Sequence, residues 1–209
     1  MDNTFTPLDI SAAILRTRRH LPHWEQAGCT YFVTFRTFDS IPQSMLNAFR
    51  RERDAWFFDH PKPWSQSQWK EYHLKFRVRI ERWLDQGYGL CPFRDPQAAS
   101  IVADALRYFD QKRYCLDEFA VMPNHVHALV MPAFGTALSK IVHSWKSFTA
   151  SQVIRLLGKS GPLWEDETFD HAVRNWDSLQ SYRAYIRRNP GSAGLESGQY
   201  VLGCGSGVR

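Results

Sequence analysis

The sequence has few cysteines, and their spacing builds no recognisable site. Its 209 residues include four cysteines and no CxxC pair, so neither a zinc cage nor a disulfide framework is expected. Long hydrophobic runs are also missing, since no apolar stretch approaches the roughly 20 residues that span a bilayer. No signal peptide precedes the cysteines, so we expect thiols in a reducing compartment, a cytoplasmic protein and no membrane partner.

Linkers and strong charge asymmetry are missing as well. No stretch rich in Pro, Gly or Ser divides the chain before its end, so one domain spanning residues 1–195 is expected. The glycine-rich tail 196–209 is predicted to be flexible. Lysine and arginine number 26 against 21 acidic residues, a net charge of +5. This moderate excess suits a polyanionic partner without proving one.

The first 87 residues are predicted to form an arm, a strand and a helical insertion. Residues 1–26 carry basic side chains with little apolar periodicity, which predicts an irregular basic arm able to lie on phosphates; its arginines are Arg16, Arg18 and Arg19. A β-branched and aromatic run at 29–38 predicts a central strand. Residues 42–87 then show helical spacing of aromatic residues, which predicts a helical insertion with a basic face.

The run from Val121 to Val130, VMPNHVHALV, carries the first chemical signal. Residues two apart on a strand point to the same side, so His125 and His127 can hold one divalent cation while the residues between them face a core. A short pattern of this kind also fits a half-buried strand whose histidines are simply polar. The histidines alone leave both interpretations open.

The second signal is the segment DSLQSYRAYIRRNP, residues 177–190. Its start resembles a capping box and its proline predicts a helix end, which places Tyr185 and Asn189 one turn apart. A tyrosine, an amide oxygen and three arginines, Arg183, Arg187 and Arg188, are parts suited to attack on a phosphodiester. Tyr182 is a rival nucleophile, and Asn189 also fits a helix cap.

Several separated motifs, in order from residue 18 to 195, closely resemble the REP-associated tyrosine transposases, which are single-tyrosine HUH endonucleases. The motifs are LPHWEQAGCTYFVTFR (21–36), MPNHVHALV (122–130), SWKSFTA (144–150), and YIRRNP followed by AGL (185–195). The alternation of strands and helices indicates an α+β fold. The resemblance specifies a ferredoxin-like antiparallel sheet covered by helices, with the helical insertion after the first strand.

The resemblance also implies a chemistry. His125, His127 and Asn189 would bind Mg²⁺ or Mn²⁺, and Tyr185 would form a 5′-phosphotyrosine and release a 3′-hydroxyl. The substrate would be single-stranded or hairpin DNA of REP-like palindromes, with the basic arm, Lys146 and the three helix arginines as DNA contacts. A nucleoid-associated monomer acting through its own tyrosine is expected. The alternatives are a non-catalytic DNA-binding protein and, last, a metal-dependent hydrolase of small phosphoesters.

Overall fold

The computed structural model describes residues 5–9, 15–18, 22–26 and 28–207. Its centre is a five-stranded sheet in which all neighbouring strands are antiparallel. The strands are rich in β-branched and aromatic residues, which suit a pleated surface that is covered on both sides. In sheet order they are β6 (Phe169–Ala172), β3 (Tyr31–Arg36), β5 (His125–Pro132), β4 (Tyr114–Val121) and β7 (Val201–Cys204).

Four of these strands and two helices form a βαββαβ series. Along the chain the order is β3, helix α4 (Pro96–Tyr108), β4, β5, helix α5 (Leu138–Leu156) and β6. In the sheet, the first strand of this series lies between the fourth and the third, and the second lies beyond the third. This is the ferredoxin-like order, so the predicted α+β fold is confirmed.

The two faces of the sheet carry different layers. Helices α4 and α5 pack on one face, where Val33, Val126 and Ala128 join the larger buried cluster. Helix α6 (Trp176–Ser192) covers the other face, where it meets Phe32 and Leu129. Because side chains alternate along a strand, the odd-numbered residues of β5 belong to the α6 layer.

The predicted insertion at 42–87 consists of helices with a small core of their own. Helix α1 (Gln43–Asp59) packs against a second, continuous helical segment through buried aliphatic and aromatic side chains. That segment runs through α2 (Gln66–Tyr72), one π turn (His73–Arg77) and α3 (Val78–Asp85). Within the described parts of the chain, no helix is long and apolar enough to cross a membrane.

Helix α6 differs from its predicted boundaries at both ends. Asn175, rather than Asp177, caps it by accepting a hydrogen bond from the backbone N–H of Ser178 at 2.8 Å. Pro190 lies inside the helix, because backbone bonds from residues beyond it, such as Ala193 N–H to the Asn189 carbonyl at 3.0 Å, close the last turn. Asn189 is therefore an internal helix residue and not a terminal cap.

The prediction of an irregular arm at 1–26 is wrong for two short segments. Strand β1 (Leu15–Arg18) pairs antiparallel with β2 (Pro22–Glu25) in a separate two-stranded sheet. This pairing satisfies backbone donors and acceptors that an irregular arm would leave to water. Arg16 and Arg18 lie on β1, and Arg19 lies outside the described residues.

The prediction of a flexible tail is also wrong for residues 201–204, which form β7 against β4. Asp110 holds the next turn, since its carboxylate accepts hydrogen bonds from the backbone N–H and hydroxyl of Ser206 at 2.7 and 2.8 Å. The glycines allow a close approach: a Cβ atom on Gly203 would meet the Phe119 ring, and one on Gly205 would meet the Leu116 carbonyl oxygen. Glycine here indicates tight packing, not flexibility.

We predict that Gly205→Ala lowers the free energy of unfolding by about 1–3 kcal/mol, as overpacking against backbone does. Urea unfolding measures the change, and hydrogen exchange at the β4 edge should rise. Gly191→Ala is the control, because a Cβ atom there has open space and alanine favours a helix. Equal stability of the Gly205→Ala and wild-type proteins would contradict the close approach of the tail.

Candidate functional site

His125 and His127 lie side by side on β5, on the face covered by α6. Their ring centroids are 4.7 Å apart, and both residues are buried, with exposed fractions of 1% and 0%. Burial lowers the pKa of His125 to about 3, and the nearby Asn189 side chain opposes this shift. Burial and then the charges of His125 and Arg77 hold the pKa of His127 well below its usual range. Both imidazoles are therefore neutral, the form that binds metals.

A hydrogen bond at Nδ1 fixes the orientation of each imidazole. His127 Nδ1 is 2.7 Å from the Thr34 hydroxyl on the adjacent strand β3. His125 Nδ1 is 2.8 Å from the side-chain oxygen of Asn124, so this nitrogen donates. The Asn124 amide in turn donates to the carbonyl oxygens of Leu84 and Tyr88 at 3.3 and 3.2 Å, which fixes its orientation. The bond to Asn124 leaves His125 Nε2 as the available lone pair, and His127 Nε2 is equally available when its Nδ1 donates to the Thr34 hydroxyl.

Asn189 approaches the two histidines from α6, which covers this face of the sheet. Among the buried side-chain atoms of the described residues, His125 Nε2, His127 Nε2 and Asn189 Oδ1 have no hydrogen-bond partner. Leaving one buried polar group unsatisfied costs about 1–3 kcal/mol. Two neutral imidazoles and an amide oxygen suit a divalent cation, so this donor set fits the metal that the resemblance implies.

An amide is the available third donor beside the two histidines. Within the described ranges, no three histidine, cysteine or carboxylate side chains are grouped so that they could hold a metal ion. The set would therefore consist of His125, His127 and Asn189, leaving further coordination positions to water and substrate phosphate.

Tyr185 is the tyrosine that faces the histidines. Its ring lies edge-on to His127 at 5.2 Å, and its hydroxyl accepts a hydrogen bond from the Asn189 amide at 3.2 Å. Tyr182 instead stacks flat on Phe32, with ring centroids 4.5 Å apart, and Phe32 stacks on His127 at 5.4 Å. Tyr182 is thus separated from the histidines by one ring, whereas Tyr185 contacts one of them directly.

Two carboxylates of α3, Glu81 and Asp85, also act on Tyr185, and the sequence analysis did not identify either of them. The charge of Glu81 acts on Tyr185, and burial raises the pKa of the Glu81 carboxyl. Burial raises the pKa of Asp85 to about 6, against a hydrogen bond with Asn189 that lowers it. Burial and then the charges of Glu81 and Asp85 raise the pKa of Tyr185, while Arg77 opposes them. Glu81 and Asp85 are four residues apart, so they lie on one face of α3, and this spacing was the signal in the sequence that could have identified them.

The residues that form this geometry fall within a recognisable family segment. Residues 97–189 match the sequence model described as "Transposase IS200 like". This segment is therefore similar to the IS200-like transposases. It includes both histidines, Tyr185 and Asn189, and it agrees at this level with the resemblance stated from the motifs.

No curated protein sequence matches this chain. A solved structure described as "Structure of the REP associates tyrosine transposase bound to a REP hairpin" is similar over 86% of this chain and 76% of that chain, at 15% sequence identity and a TM-score of 0.47.

The structure corrects the expected DNA contact at Arg183. This residue is 8% exposed and its guanidinium Nε lies 2.9 and 3.2 Å from the two carboxylate oxygens of Asp117, which is fully buried. We expected all three arginines of this helix to contact DNA because the segment is short and basic. Arg183 instead joins α6 to β4, and its removal would take a charged partner from a buried carboxylate.

The other expected contacts remain at or near the surface. Arg187 pairs with Glu118 through two hydrogen bonds of 2.8 and 2.5 Å, with its side chain 60% exposed. Arg188 is exposed and donates to the Ala184 carbonyl at 3.2 Å. The Lys146 ammonium donates to the backbone carbonyls of residues 165 and 166 at 2.6 and 2.9 Å. DNA contact by these residues stays a prediction.

Proposed function

We propose that this protein is a metal-dependent endonuclease and strand transferase that cuts single-stranded or hairpin DNA at REP-type palindromes. The observation that carries the proposal is the placement of three unpartnered buried ligand atoms beside the hydroxyl of Tyr185. The motif resemblance supports the choice of substrate. A non-catalytic DNA-binding protein would gain nothing from unsatisfied polar atoms in its interior, so the donor set favours catalysis.

The reaction would be a transesterification. The Tyr185 oxygen attacks the scissile phosphorus, the bond from phosphorus to the 3′-oxygen breaks, and the DNA remains linked through a 5′-phosphotyrosine. The departing 3′-oxygen takes up a proton and leaves as a hydroxyl group, which can later attack the phosphotyrosine and rejoin a strand. A divalent cation held by His125, His127 and Asn189 would supply neutralisation of the phosphate charge.

Glu81 is the group that would take the proton from Tyr185. The charge of Glu81 acts on Tyr185, and burial makes the carboxylate a stronger base by raising its pKa. Burial also raises the pKa of Tyr185, so the tyrosine stays protonated in the free protein. Proton transfer to Glu81 would therefore accompany the attack rather than precede it.

We predict that Tyr185→Phe abolishes the covalent protein–DNA adduct while DNA binding persists, because only the attacking oxygen is lost. Denaturing gel electrophoresis with labelled single-stranded repeat DNA and Mn²⁺ measures the adduct. Tyr182→Phe is the matched control and should retain it, since Tyr182 stacks on Phe32. Adduct formation by Tyr185→Phe, with loss in Tyr182→Phe, would reverse the assignment.

The same variants test the proposal that the protein acts as a monomer. Tyr185 lies beside His127 of its own chain, so the tyrosine and the metal ligands would work in cis. A mixture of Tyr185→Phe protein with His125→Ala, His127→Ala protein should remain inactive. Restored cleavage in the mixture would show that subunits share sites and would refute cis assembly.

Metal binding should depend on the two histidines. In the double variant His125→Ala, His127→Ala we expect Mn²⁺ binding, followed by the loss of the free-ion electron paramagnetic resonance signal, to disappear together with cleavage. His143→Ala is the control, because this histidine is exposed on α5. Unchanged Mn²⁺ binding and cleavage in the double variant would sink the metal-dependent mechanism.

We predict that Glu81→Gln slows adduct formation at neutral pH by roughly 10²–10⁴-fold, the usual contribution of a general base. A carboxylate accepts protons only above its pKa, so the wild-type rate should rise with pH through the raised pKa of Glu81. That rise should be absent in Glu81→Gln, while Asp104→Asn, an exposed change on α4, should keep it. An identical pH profile in Glu81→Gln would exclude this role.

A further inference from the structure

A second feature lies on the other side of Tyr182 from the metal ligands. It is a cavity of about 370 Å³ between the helical insertion, β6 and the start of α6. Pockets that bind small organic groups have volumes of roughly 300–1,000 Å³. The residues that define its character are Trp69, Lys70, Arg77, His171, Arg174 and Tyr182.

The charges around this cavity are mainly positive. Arg77 comes from the π turn and Arg174 from the loop between β6 and α6, while Lys62 and Lys70 complete the basic set opposite one acidic residue, Asp170. A π turn within a helix often marks a functional position. Guanidinium groups bind phosphate through paired hydrogen bonds, so this wall suits a phosphate group.

Flat aromatic surfaces accompany these charges. The Arg174 guanidinium lies over the Trp69 ring, 5.8 Å from its centroid. Tyr182 forms another part of the wall, and its opposite face is packed on Phe32. A base can stack on such rings regardless of its identity, and basic groups combined with aromatic rings are the usual means of binding single-stranded nucleic acid.

The cavity is connected to the metal ligands through Arg77 and the ring stack. The rings of Tyr182, Phe32 and His127 are stacked in that order, so only Phe32 separates the cavity wall from a ligand. Arg77 lines the cavity together with Tyr182, and its charge also acts on Tyr185 and His127. A strand whose phosphate is at Tyr185 therefore has a basic, aromatic cavity immediately beside it.

We propose that this cavity binds one nucleotide of the single strand that flanks the scissile phosphate, with Arg77 and Arg174 on its phosphate and Trp69 and Tyr182 against its base. The proposal rests on the proposed function, since it takes the scissile phosphate to lie at Tyr185. It assigns the insertion a role in positioning the substrate. A free mononucleotide would share the same chemistry but would lack the adjoining strand.

The first experiment measures binding without cleavage, in Tyr185→Phe protein. Adding Arg77→Gln should weaken binding of a single strand spanning the cleavage position by roughly tenfold and reduce the salt slope by about 0.7, the loss of one phosphate contact. Arg77→Lys should restore the slope. Trp69→Leu should weaken binding by roughly 5- to 100-fold with an unchanged slope, as the loss of one stacked base does.

Two controls separate the cavity from general DNA affinity. Arg82→Gln, an exposed change on the neighbouring α3 turn outside the cavity lining, should leave binding unchanged. A hairpin that lacks flanking nucleotides should bind equally to all variants. If Arg77→Gln and Trp69→Leu bind the flanked strand as Arg82→Gln does, or if the Tyr185→Phe parent does not bind that strand, the proposal is overturned.

The second experiment needs no substitution in the cavity. Single strands carrying iododeoxyuridine at successive positions around the cleavage position are photocrosslinked to the Tyr185→Phe protein, and the modified residue is identified by mass spectrometry. Crosslinks from one flanking position to Trp69 or Tyr182 are expected, and crosslinks only outside the cavity would refute it. These binding results are independent of adduct formation, so failure of the tyrosine chemistry and failure of the cavity are distinguishable.

Discussion

The constraint on which the structure depends is the burial of two neutral imidazoles side by side on the central strand β5. Each has one nitrogen fixed by a hydrogen bond, His127 to Thr34 and His125 to Asn124, and one without a partner. Water would satisfy these atoms on an open sheet, so helix α6 and the insertion are needed to cover them. A cation that replaced the missing partners would recover the lost free energy, and neutral histidines are the form that binds metals.

Local periodicity accounts for what could be predicted of this arrangement. The alternation of histidine with valine and alanine places His125 and His127 on one face of β5 and their neighbours in the core on the other. The spacing of four residues on a helix likewise brings Tyr185 to Asn189. Both relations hold within one element, so the sequence contains them. The order of strands and helices was sufficient to predict an α+β fold, and the motif resemblance specified its ferredoxin-like form.

Contacts between distant elements could not be predicted in this way. The ion pair of Arg183 with Asp117 links residues 66 positions apart, and nothing near Arg183 distinguishes it from a DNA-binding arginine. Glycine in the tail was equally ambiguous, because the same residue permits flexibility and the close packing found at Gly205. The approach of Glu81 to Tyr185 depends on how the insertion packs on the sheet, which its own helical pattern does not specify.

One helical segment of the insertion carries both acidic and basic side chains whose charges act on Tyr185. Burial raises the pKa of Tyr185, Glu81 and Asp85 raise it further, and Arg77, one turn before Glu81, opposes them. Without substrate, the carboxylates keep the hydroxyl protonated and unreactive. A phosphate bound by Arg77 would neutralise the charge of Arg77 and so weaken its effect on the tyrosine, while a cation on the histidines would offset the negative charge of the carboxylates. The attacking oxygen would therefore be activated by the cation, because positive charge near the hydroxyl lowers its pKa, whereas a phosphate that neutralises Arg77 would act in the opposite direction.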